Sequence, residues 1–204
     1  MDSFIKHVEQ LSKKRDVKLS LINAPSVITG GVACSGYFSG DDKELVVATG
    51  KDKQDWLEIL VHESCHMDQW FEKAPVWMNL DISGSDTNYI GLFDKWLGKE
   101  IELDKSTLRS CIQAIIDVEI DCEKRAVDLI KKFNLDIDVD NYIRKSNAYV
   151  LFYHVVRSKR LWSLPGKAPY MISQLVEMMP NHFDIDYSNP PPQLLGLIEK
   201  KCFR

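Results

Sequence analysis

The run Asp52-Lys53-Gln54-Asp55-Trp56-Leu57-Glu58-Ile59-Leu60-Val61-His62-Glu63-Ser64-Cys65-His66-Met67-Asp68-Gln69-Trp70 decides the reading of this chain. Trp56, Ile59, Leu60, His62, Glu63, His66 and Trp70 recur at helical steps, which predicts a helix from Asp52 to about Glu72. Within it stands the pattern H-E-x-x-H. A helix sets positions i and i+4 on one face, so His62 and His66 can hold one metal ion together. Neutral imidazole is a good zinc ligand, and Glu63 is the next residue round, within reach of a water on that ion. A purely structural metal site has no use for such a base.

Working outward, residues 3–15 read as an amphipathic helix on Phe4, Ile5, Val8 and Leu11. Val17 to Leu21 alternates with period two and reads as a strand. Val32 to Phe38 and Glu44 to Thr49 read as two strands of a hairpin turned by Ser39-Gly40-Asp41-Asp42. Residues 74–100, with Pro75, Gly84, Gly91 and Gly98, read as a long excursion carrying a short helix near 89–97. Helices are predicted over Ser106–Phe133, Asp140–Lys159, Tyr170–Met179 and Gln193–Cys202. A small N-terminal antiparallel or mixed sheet, an active-site helix and a mostly helical C-terminal half make an α+β fold. At 204 residues the chain is expected to be a single domain, 1–204.

Composition narrows the partners. The formal net charge of −4 carries no basic surplus, which argues against nucleic acid. No apolar run is long enough for a membrane span, and the first residues lack a signal peptide's apolar core, so a cytoplasmic protein is expected. The five cysteines are irregularly spaced with no C-x-x-C pair, which reads as reduced thiols rather than a disulfide framework.

A catalytic zinc takes three protein ligands plus water. The stripe Glu119, Cys122, Glu123 and Ala126 lies on one face of the 106–133 helix, where small residues at 122 and 126 allow close approach to the His62–His66 helix. Glu119 is the candidate third ligand, and Glu123 the candidate holder of the outer N–H of His62 or His66. Asp117, Asp121 and Glu123 are rival ligands, as are His154 and His182. Gln69 and Glu72 stand where a metzincin would carry its glycine and third histidine, so that pattern does not continue.

With these residues in place, the chain resembles the zincin metallopeptidases, in particular gluzincins with a glutamate third ligand. Glu119-x-x-Cys122-Glu123-x-x-Ala126-x-x-Leu129 is similar to a stretch of ImmA/IrrE-type peptidases. It departs from them in Cys122, Glu123 and Arg125, and in the long separation of His66 from Glu119. His62-Glu63-x-Cys65-His66-x-x-Gln69-Trp70 looks like the H-E-x-C-H-x-x-Q-W of uncharacterised metallopeptidases, many of them phage-encoded. The resemblance implies a zincin-like fold and one Zn²⁺ per chain on His62, His66 and Glu119. It implies hydrolysis of a protein or peptide substrate with Glu63 as base, and a substrate strand laid along the sheet edge. Tyr149, Tyr153, His154 and Tyr37 are candidates to steady the oxyanion. The competing expectation is an inactive, zinc-stabilised protein-interaction module.

Overall fold

A computed structural model describes residues 1–164 and 166–203. It is α+β, with eight α-helices and a small mixed sheet among the described residues. The chain divides into two compact units: Met1–Ala74 with Cys122–Asp138, and Pro75–Asp121 with Val139–Arg204.

The first unit opens with α1 (Asp2–Lys14), which buries Phe4, Val8 and Ser12 and ends on Lys13 and Lys14, where cations suit the helix dipole. Strands β1 (Lys18–Ile22), β5 (Glu44–Ala48) and β4 (Gly36–Ser39) form one sheet in the order β1-β5-β4. β1 runs parallel to β5, and β4 runs antiparallel to it. β5 is central, and its Leu45, Val46, Val47 and Ala48 are all buried, as expected of a strand covered on both faces. Helix α2 (Lys53–Glu72) packs on β4 and β5 and buries Leu57, Leu60, Val61, Ser64, Cys65 and Met67.

The expected strand from Val32 to Phe38 is two strands. β3 (Val32–Cys34) pairs with β2 (Val27–Thr29) in a separate hairpin, and β4 begins after Ser35 in the other sheet. Gly30 and Gly31, with φ of +54° and +80°, make the turn between β2 and β3. Gly36 allows the change of sheet: a Cβ there would lie 2.7 Å from Ile59 Cγ2 and 2.9 Å from the Val46 carbonyl. Here the chain presses directly on α2 and β5.

The second unit is helical. It holds α3 (Pro75–Met78), α4 (Tyr89–Leu97), α6 (Val139–Lys159), a 3-10 turn at Pro169–Met171, α7 (Ser173–Val176) and α8 (Pro192–Phe203). It also holds the N-terminal part of α5 (Lys105–Lys132), one continuous helix that passes from this unit into the first. The core includes Phe93, Trp96, Ile112, Ile116, Leu151, Phe152, Leu175 and Ile198. The 74–100 excursion is therefore partly structural: α4, capped by Asn88 Oδ1 accepting from Gly91 N at 2.9 Å, sends Phe93 and Trp96 into that core. The helix expected at Tyr170–Met179 is broken, because Ile172 is extended at φ −98° and ψ 94°. Among the described residues, no helix is long and apolar enough to cross a membrane.

Candidate metal centre

α2 supplies His62 and His66 from one helix face, with Glu63 the next residue round. The two imidazoles meet edge to face, with ring centroids 4.6 Å apart at 89° and their Nε2 atoms 3.1 Å apart. What fixes each ring is the partner of its other nitrogen. Glu123 Oε1, from the C-terminal part of α5, lies 3.2 Å from His62 Nδ1. Gln69 Oε1 lies 2.8 Å from His66 Nδ1. Both are acceptor oxygens, so each Nδ1 carries the proton and donates it. In the neutral rings both Nε2 atoms are then acceptors, and they face one another.

Two acceptor nitrogens at that distance repel unless a proton or a metal cation lies between them. Nitrogens sharing a tetrahedral zinc at about 2.05 Å would stand about 3.3 Å apart. The observed 3.1 Å is close to this, so the donor set fits a zinc-type ion. Glu123 adds a further observation: its side chain is 6% exposed, and its Oε2 is buried with no hydrogen-bond partner among the described residues. Two half-buried imidazoles, with a buried carboxylate on the outer side of His62, form an electron-rich group of donors whose charge a divalent cation would offset.

Cys122 explains how the helices come so close in this unit. Its Sγ donates to the His62 carbonyl at 3.3 Å and lies 3.6 Å from His62 Nδ1. A larger side chain would push α5 off α2. Ligand atoms of His62, His66 and Cys122 lie within 4.8 Å of one another, although the thiol sits on the outer, Nδ1 side of the ring. Cys65 is fully buried and packs in the core. Glu63 is also buried, at 9% exposure. Its charge reaches Cys34 at the end of β3, whose thiol is pushed up first by burial and then by Glu63.

The rest of the motif has structural work. Trp70 leaves no room for a side chain at Gly40, where a Cβ would lie 2.2 Å from its Nε1, and it meets Phe38 edge on. It thereby clamps the β4–β5 turn to α2. Glu72 pairs with Arg125 at 2.7 Å, so the acid at the metzincin position is engaged in an ion pair.

In the second unit, Glu119 is buried on α5, one turn before Glu123 on the same face. Tyr153 Oη donates to Glu119 Oε1 at 3.5 Å and meets Tyr149 Oη at 2.9 Å. Burial, and then the Glu119 charge, pushes the Tyr153 phenol well above its ordinary range; Tyr149 moves the same way, first through burial. Both are neutral donors, and in this structure Tyr153 holds a carboxylate. The remaining candidates have other partners. His154 is buried with Nε2 2.8 Å from the Tyr187 carbonyl, and burial lowers its pKa. His182 is exposed, its Nδ1 accepting from Asp184 N. Asp117 is exposed and accepts from Gln113. Tyr37 donates to Glu44 at 2.5 Å, which raises the phenol to about 12.

Sequence reasoning did not single out Gln69 as a ring holder. The signal was available: position 69 is three residues after His66, hence a neighbour on the helix surface, and the side chain is fully buried. Compared with protein-family models, curated proteins and solved structures, the chain gives no significant match, so its function is argued from this site.

Proposed function

We propose that this chain is a zinc-dependent peptidase of gluzincin type, acting in the cytoplasm on a narrow protein target. The observation that carries the reading is the pair of acceptor nitrogens on His62 and His66, each aimed by a hydrogen bond at its other end. In this reading His62 and His66 hold the ion through Nε2. Glu119, one helical turn before Glu123, supplies the third ligand, and Tyr153 steadies it. Zinc, when bound, lowers the pKa of its water toward 7 and polarises the substrate carbonyl. Glu63 accepts the proton of the attacking water and returns it to the leaving amine. Glu123 and Gln69 keep both imidazoles in the Nδ1–H form and raise their basicity as ligands.

The test is elemental analysis of untagged protein, followed by digestion of a proteome-derived peptide library read by mass spectrometry. About one zinc per chain is expected. Cleavage should disappear in Glu63→Gln while the zinc remains. Absence of metal after zinc has been offered and dialysed away would overturn the reading. Zinc without cleavage in the unmodified chain would favour the inactive, zinc-stabilised interaction module instead.

A further inference from the structure

A second polar site lies in the helical unit. A cavity of about 610 Å³ is lined by Lys105, Ser106, Leu108 and Arg109 of α5 and by Arg157 of α6. Three of these five residues are cations, and none is acidic. Lys105 and Arg109 are i and i+4 on α5, so their charges share one face. Arg157 is half-buried.

Two acids flank this stretch of α5, and both have partners. Asp104 accepts from Ser106 N, Thr107 N and Thr107 Oγ1, which caps α5 and leaves its terminus no anion-binding role of its own. Glu102 pairs with Arg160. Among the described residues, none of Lys105, Arg109 and Arg157 forms an ion pair. Helix economy does not explain the arrangement either, because cations in the opening turns of α5 oppose its dipole.

We propose that this cavity binds the phosphate group of a small phosphorylated molecule, with Arg109 and Arg157 gripping the oxygens, Lys105 adding charge and Leu108 offering an apolar wall. Guanidinium forks match phosphate geometry, and the volume suits a small-molecule ligand. The site is independent of the proposed zinc centre.

The experiment is a ¹H–¹⁵N NMR titration of the full chain with inorganic phosphate. Saturable shifts are expected at residues 105–109 and around 157, distinct from any at 62–69. Arg157→Gln and Arg109→Gln should each weaken binding at least about fivefold, as for loss of a charged hydrogen bond. Lys201→Gln, which removes the same charge elsewhere, should leave it unchanged. Retained spectral dispersion shows that each variant is folded. No saturable shift up to about 20 mM phosphate would overturn the proposal. So would equal weakening by Lys201→Gln, or binding only to vesicles containing phosphatidylserine.

Discussion

Two histidine environments make the sharpest contrast in the molecule. In the helical unit, His154 is buried with Nε2 on the Tyr187 carbonyl, and burial favours its neutral form. In the sheet-bearing unit, His62 and His66 also have hydrogen-bonded rings, but the bonds are made at Nδ1 and turn two Nε2 atoms toward each other. Burial alone therefore does not mark a functional histidine. The useful question is where the second nitrogen points.

The largest expected effect tests that distinction directly. Structural zinc sites contribute about 10–16 kcal/mol over four ligands, so each ligand carries about 2.5–4 kcal/mol, or about 10²–10³ in affinity. His62→Ala should lose that much zinc affinity and with it any zinc-dependent rise in Tm. His154→Ala should keep the zinc-dependent rise while lowering Tm at every zinc concentration, by about 2–4 kcal/mol of stability for a core truncation. Calorimetry with and without zinc reads both. Equal zinc affinity in the two variants would erase the contrast.

Next in size is Glu63→Gln. A general base contributes about 10²–10⁴ in rate, and the substitution leaves both imidazoles in place. Turnover should fall by that factor with zinc content unchanged, measured on the first peptide found to be cleaved. Smaller again are the residues that aim the rings. Gln69→Leu removes the acceptor from His66 Nδ1, and zinc affinity should fall about 10–100-fold, read by competition with a chromophoric chelator. Glu123→Gln keeps an acceptor oxygen but removes the charge, so it should fall at the lower end of that range.

How much of this was legible in sequence depended on the distance over which each signal acts. H-E-x-x-H on a helix is a local pattern, and the i, i+4 rule carries it to a shared face without tertiary knowledge. Glu119 and Glu123 were legible as a stripe for the same reason, with Cys122 between them as the small residue that allows contact. The hairpin was not legible in full. β2 and β3 have three residues each, too few for a period, and the break at Ser35-Gly36 is set by Ile59 and Val46, which are distant in sequence. Partners such as Arg125 for Glu72 and Tyr187 for His154 are likewise tertiary facts.

The smallest effect concerns pH and separates the two histidine environments once more. His154 has its pKa lowered from 6.5, first by burial, with Arg157 acting in the same direction against the Tyr187 hydrogen bond. The unfolded chain then binds a proton at this residue at a higher pH than the folded chain does. By linkage, its contribution is full above the unfolded value and is lost as pH falls from about 6.5 toward the lower folded value. Urea unfolding of metal-free protein across that window should show stability declining with acidification. In His154→Gln, where an amide N–H can still donate to the Tyr187 carbonyl, that part of the decline should be absent. An unchanged slope would mean that the acid sensitivity belongs to other groups, and that His154 is no more neutralised by its surroundings than an exposed imidazole.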